Sequence, residues 1–156
     1  SAVFGNFPGD PERHGLTGHS MGGHGALTIG LRNPHMFGSL SAFAPICTTL
    51  HSPWGQKALG YYLGDDQSTW RIYDAAEVAR NVEDPTHYSK ILVDQGGADI
   101  FLEEQLKPEL LEAACKHSGL PLELRIHDGY DHGYYFISTF IEEHLRFHAA
   151  ELCKSG

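Results

Sequence analysis

A fold of the α/β class, built on a parallel sheet, is predicted by three features of this sequence. Short apolar runs of strand type alternate with longer segments of helical period along the chain. Each strand-type run is separated from the next by enough residues for a crossover, and such crossovers are right-handed and cover both sheet faces with helices. Helix- and strand-ending residues stand at the boundaries, as in Asn33-Pro34, Pro45 and Gly119.

The elements follow in order. Gly15-Leu16-Thr17 ends a strand that begins near Arg13. Met21 to Arg32 is a helix with Ala26, Leu27, Ile29 and Leu31 apolar, and Asn33-Pro34 stops it. Ser39 to Ala44 is a second strand, ended by Pro45. His51 to Gly64 is punctuated by glycine and proline and holds the aromatic residues Trp54, Tyr61 and Tyr62. Ser68 to Val82 predicts two short helices, the second capped by Asp74, whose carboxylate can accept from the first unpaired amides. Lys90 to Asp94 is an apolar run of buried-strand type. Leu106 to His117 is an amphipathic helix with Gly119 just beyond it. Leu122 to Ile126 is a fourth strand. Tyr134 to Leu152 is a long last helix with Phe136, Ile137, Phe140, Ile141 and Leu145 on its apolar stripe.

Composition narrows the function. The 156 residues carry 11 basic and 20 acidic side chains, a net charge of −9. Nucleic acid and anionic membrane surfaces need a basic face, so neither is expected as a partner. No apolar run approaches the ~18–20 residues of a membrane span. Cys47, Cys115 and Cys153 form an odd set without a C-x-x-C pair, which suggests reduced thiols and a cytoplasmic protein. Eleven histidines raise the question of a metal, but there is no H-E-x-x-H and no Cys/His quartet at zinc spacing. His144 and His148 stand four apart on the last helix and read as a solvated face rather than as ligands.

In parallel sheets the functional residues gather beyond the carboxyl ends of the strands. Beyond the first stands Gly18-His19-Ser20-Met21-Gly22, a G-x-S-x-G pattern between a predicted strand and a predicted helix. That is the setting of a nucleophile elbow, where a sharp turn exposes the serine and glycines two residues either side avoid collision. The Met21 amide, at the helix start, can donate to an oxyanion. A serine nucleophile needs a base, and the base an orienting acid. In the α/β-hydrolase fold these follow as Ser, then Asp or Glu, then His, each past a strand. Asp99, on the loop Gln95-Gly96-Gly97-Ala98-Asp99, and His132, before the last helix, complete that order. Asp128 is the alternative acid. Asp94 belongs to a strand, and Asp131 adjoins His132 too closely to support it from behind.

Gly18-His19-Ser20-Met21-Gly22-Gly23-His24-Gly25-Ala26-Leu27 resembles the elbow of the S-formylglutathione hydrolase (esterase D) family. Asn6-Phe7-Pro8-Gly9-Asp10-Pro11-Glu12-Arg13, Ser41-Ala42-Phe43-Ala44-Pro45-Ile46-Cys47 and Pro53-Trp54-Gly55-Gln56-Lys57-Ala58 resemble other blocks of it. So do Asp94-Gln95-Gly96 with Asp99 and Phe101, and Gly129-Tyr130-Asp131-His132 with Tyr134-Tyr135-Phe136-Ile137. The resemblance implies an α/β-hydrolase fold, residues 1–156 being one domain truncated at its N-terminal side. The family carries further chain ahead of this segment, with the second oxyanion amide and a cysteine near the site. It implies the triad Ser20, Asp99 and His132, no metal or cofactor, and a small-molecule substrate: hydrolysis of S-formylglutathione to glutathione and formate, a step of formaldehyde detoxification. Trp54 would wall the acyl pocket. A general short-chain carboxylesterase and a catalytically silent fragment are the alternatives. An elbow strand left at the sheet edge would favour association, which keeps a homodimer open.

Overall fold

Four parallel strands lie side by side in chain order in the computed structural model, which describes residues 13–154. They are β1 (Gly15–Leu16), β2 (Ser39–Phe43), β3 (Ile91–Gly96) and β4 (Leu122–His127). The helices are α1 (Met21–Arg32), α2 (Pro53–Leu63), α3 (Ala75–Arg80), α4 (Pro108–Ser118) and α5 (Tyr134–Leu152). Short 3₁₀ turns cover Pro34–Met36 and Gln67–Tyr73, and a π turn covers Leu102–Leu106. The register pairs Leu16 with Leu40, Phe43 with Asp94, and Asp94 with Arg125. All carboxyl ends therefore point to one edge of the sheet. The segment 6–12, part of the first resembling block, lies outside the described residues.

Alternation along the strands divides the sheet into two unlike faces. On one, Leu40, Ala42, Ile91 and Val93 pack with Leu27 and Leu31 of α1, Ala75 and Ala79 of α3, and Leu111 and Ala114 of α4. Small residues on α3 let it lie close, and each large aliphatic buried there stabilises by roughly 1.5–3 kcal/mol. The other face is covered by α5. Phe136 packs there with Phe43, Ala44, Ile46 and Leu106.

Farther along α5 the same interface is polar. His144 is wholly buried, with Nδ1 2.8 Å from the Ser41 hydroxyl and Nε2 3.1 Å from Asp94 Oδ2. His148 reaches the hydroxyls of Ser39 at 2.6 Å and Ser41 at 2.8 Å. Arg125 grips Asp94 with Nε and Nη2, both at 2.6 Å, and Glu143 with Nη1. His127 Nε2 lies 3.1 Å from Asp94 Oδ1. Burial pushes the Asp94 carboxyl up, but hydrogen bonds from His144, Arg125 and His127 and the Arg125 charge outweigh it and hold the group below the usual carboxylate range. The expectation of a solvated His144/His148 face is thus corrected. At helical spacing both histidines continue the stripe of Phe140 and Ile141, and the strand face beneath supplies serines rather than aliphatic side chains. Leu145 is 61% exposed and Ile29 51% exposed, so both leave the faces expected of them.

Further elements also differ from expectation. The stretch from His51 to Gly64 holds a helix, α2. Ser52 caps it by accepting from the Gly55 amide, and Pro53 occupies the first turn, where a missing N–H costs nothing. The helix expected from Leu106 starts at Pro108, because Lys107 takes φ 50° after the π turn. β3 and β4 run on to Gly96 and His127. β2 ends at Phe43, since Ala44 turns to φ 40°.

Asp74 caps α3 as expected, accepting from the Glu77 amide at 2.9 Å. Its other oxygen accepts from Thr48 Oγ1 at 2.7 Å, Thr49 Oγ1 at 3.2 Å and the Leu50 amide at 3.0 Å. One buried carboxylate so ties the segment after β2 to the start of α3.

Asp74→Ala should lower unfolding stability by about 2–4 kcal/mol in a urea melt, a lost cap plus stranded buried donors. A second expectation concerns acid. Burial lowers the His148 imidazole from 6.5 to about 4, and the neighbouring His144 adds to this. A neutral buried histidine contributes stability that is full above the unfolded value and is lost as pH falls toward the folded one. The urea midpoint should therefore drop between about pH 6.5 and 4, and His148→Gln should flatten that drop.

Candidate active site

The turn out of β1 is steered by β2. His19 pairs with Phe43 as an isolated bridge, Phe43 donates its amide to Gly18 O at 2.8 Å, and Ser20 donates its own to Phe43 O at 3.0 Å. Ser20 then reverses the chain at φ 57°, ψ −118°, a backbone state that a residue with a side chain enters only under strain. Its carbonyl accepts from the amides of His24 and Ile46, while its hydroxyl makes no capping bond to α1. The serine is thus spared from the capping role that a Gly-rich turn would otherwise suggest. A Cβ on Gly18 would stand 2.2 Å from Gly22 O, so this glycine is required. Gly22 differs from expectation: a Cβ there meets nothing within 4 Å among the described residues. What the turn demands of Gly22 is its backbone position against Gly18. Met21 is the first residue of α1, so its N–H belongs to the turn that lacks intrahelical acceptors.

Asp99 lies just past β3 and is 5% exposed. Its Oδ1 accepts from the Phe101 amide at 2.8 Å. Its Oδ2 accepts from Gln95 Nε2 at 3.1 Å and contacts His132 Nδ1 at 2.6 Å. The loops carrying Asp99 and His132 are stitched together by backbone. Gly97 donates to His127 O at 2.8 Å and Ala98 to Tyr130 O at 3.0 Å. Gly96 makes this approach feasible, since a Cβ there would lie 2.3 Å from Tyr130 O. Of the other carboxylates, Asp128 is exposed, Asp131 accepts from the Gly133 amide, and Asp94 points to the α5 face as the pleat requires.

His132 is boxed in by rings. His19, the chain neighbour of Ser20, lies 4.5 Å from it, and Phe101 meets it edge-on at 5.3 Å. Burial lowers the His19 imidazole from its ordinary value, and the charge of His132 adds to that. Trp54 packs on Phe101 at 4.6 Å, and its amide donates to the buried Gln105 side chain. Trp54 therefore reaches the imidazole through Phe101. Tyr61 and Tyr62, 84% and 79% exposed, meet each other edge-on instead. Sequence reasoning gave no role to His19 or Gln95; the only signal was their adjacency to the elbow and to the acid loop.

A cleft of about 620 Å³ near Leu31, Arg32, Ile72, Val78 and Tyr88 lies elsewhere and is lined by none of Ser20, Asp99 and His132. Among the described residues no group of three or more His, Cys, Asp or Glu side chains is arranged to hold a metal ion. What the geometry offers is a buried carboxylate bonded to an imidazole that packs on His19, the chain neighbour of a serine on a strained elbow. That is equipment for nucleophilic acyl transfer.

Comparison with known proteins agrees with this chemistry. The chain is 51% identical over 148 residues to an S-formylglutathione hydrolase of Rattus norvegicus, covering 94% of this chain and 52% of that protein. It is 50% identical over 143 residues to one of Arabidopsis thaliana, covering 92% and 50%. The chain thus spans about half the length of the curated relatives it matches. The solved S-formylglutathione hydrolase from Agrobacterium tumefaciens superposes with a TM-score of 0.89 at 49% identity, over 97% of this chain and 54% of that one. A ferulic acid esterase shares the fold at 21% identity, with a TM-score of 0.71 over 92% of this chain and 53% of its own. The fold is that of the α/β-hydrolases. The Esterase family model matches residues 1–147, and the chain belongs to that family.

Proposed function

We propose that this chain carries the catalytic triad of a serine hydrolase that cleaves S-formylglutathione to glutathione and formate. The observation that carries the reading is the 2.6 Å contact between His132 Nδ1 and Asp99 Oδ2 beside the Ser20 elbow. Identity of about half to proteins named for that reaction supports the substrate. In the proposed mechanism Ser20 Oγ attacks the thioester carbonyl while His132 takes its proton. Asp99 holds the imidazole by Nδ1, frees Nε2 to take the serine proton, and stabilises the imidazolium that forms. The Met21 amide donates to the tetrahedral oxyanion. His132 returns the proton to the departing thiolate, and the formyl group stays on Ser20. Water, deprotonated by His132, attacks this ester and releases formate. The imidazole serves as both base and acid, so the steps call on no metal or organic cofactor. Trp54, which packs on Phe101 next to His132, would wall the acyl pocket.

A general short-chain carboxylesterase is the second reading, favoured by the breadth of the family match. The ratio of kcat/KM for S-formylglutathione to that for a simple acetate ester separates the two. A cytoplasmic setting is part of the proposal, supported by Cys47, Cys115 and Cys153 all being free thiols. Among the described residues no helix is long and apolar enough to cross a membrane.

Ser20→Ala should lower kcat by about 10⁴–10⁶-fold and abolish labelling by a fluorophosphonate probe. Labelling retained at another residue, or turnover that persists, would overturn the assignment.

A further inference from the structure

We infer that Gln95 is a positioning residue for the acid–base pair, its amide sharing one oxygen of Asp99 with His132; this rests on the serine-hydrolase reading above. Gln95 is the penultimate residue of β3 and is fully buried. Ile91 and Val93, at alternate positions on the same strand, belong to the apolar core. The pattern calls for an aliphatic side chain at 95, yet a carboxamide stands there.

Its orientation is decided by its neighbours. Nε2 lies 3.1 Å from Asp99 Oδ2 and 3.0 Å from Gly96 O. Both are acceptors, so turning the amide over would set oxygen against oxygen. The other end of the group, Oε1, is buried with no hydrogen-bond partner among the described residues. A buried carbonyl left unpaired costs stability, and a methionine of similar shape would fill the space without that cost. Packing therefore does not account for a glutamine here. Its donor does.

Asp99 Oδ2 meets two donors, His132 Nδ1 at 2.6 Å and Gln95 Nε2 at 3.1 Å, while Oδ1 takes the Phe101 amide. The amide from β3 occupies one side of Oδ2 and leaves the other to the imidazole. It also draws charge from that oxygen, which weakens the pull of the carboxylate on the His132 proton. Titratable groups face His132 from two sides, Asp99 on the acid loop and His19 on the elbow. Loss of the Gln95 donor leaves both in place. It makes Asp99 a stronger acceptor and tightens its hold on the imidazolium.

The test compares the enzyme with its Gln95→Met and Gln95→Leu variants. Three quantities are read: the pH dependence of kcat, the NMR titration of His132, and the thermal midpoint. In both variants the acid limb of the kcat profile should move to higher pH, and kcat should fall about tenfold with KM unchanged. The thermal midpoint is read beside them, since the variants lose the unpaired carbonyl and also the two bonds from Nε2. A purely structural glutamine gives a lower midpoint with kcat and acid limb unmoved, and that result overturns the inference. Should neither variant fold, the unaltered protein still decides. The Gln95 side-chain amide resonance should follow the His132 titration, and a resonance that ignores it overturns the inference. Ser20→Ala separates the two readings. Hydrolysis surviving Ser20→Ala sinks the serine-hydrolase proposal itself; a silent Ser20→Ala beside a normal Gln95→Met sinks only the role of Gln95.

Discussion

The backbone approach between the loops beyond β3 and β4 governs what the candidate site can do. Gly96 has no side chain where the Tyr130 carbonyl passes. Two amides of one loop, Gly97 and Ala98, then bond to carbonyls of the other. These bonds hold two flexible side chains at 2.6 Å, a separation that neither loop could keep alone. Preorganisation of this kind moves the cost of orientation from the reaction to folding. Ser20 arrives from the other side, on the turn out of β1, where Phe43 of β2 bonds to both Gly18 and Ser20.

The sheet that delivers these loops is held differently on its two faces. Against α1, α3 and α4 it is a largely aliphatic core. Against α5 it is partly a polar lattice centred on Asp94, with Arg125, His127 and His144 around one carboxylate. Arg125 of β4 supplies a bidentate grip on that carboxylate, and α5 supplies the His144 imidazole. α5 is therefore attached by directional bonds as well as by Phe136, and these bonds set its rotation over the strands. Since His132 immediately precedes α5, that rotation also bears on the site.

Much of this was legible in the residues. The strand–helix alternation, the Asp74 cap and the loops bearing Ser20, Asp99 and His132 all followed from turn chemistry and order along the chain. The helix α2 was missed because glycine and proline were read as punctuation, although Ser52-Pro53 is itself a helix-start signal. His144 and His148 were misread because a polar residue on a helical stripe is assigned to solvent by default. Only the three-dimensional pairing brings Ser39, Ser41 and Asp94 under them. Gln95 illustrates the same limit, since strand periodicity gives its face and says nothing of which carboxylate lies opposite its amide.

The strained backbone at Ser20 has a further consequence. A residue at φ 57° is one that glycine would occupy with less strain. Holding a serine rather than a glycine in that state costs the fold roughly 1–3 kcal/mol, and what sets the serine apart from glycine there is its hydroxyl.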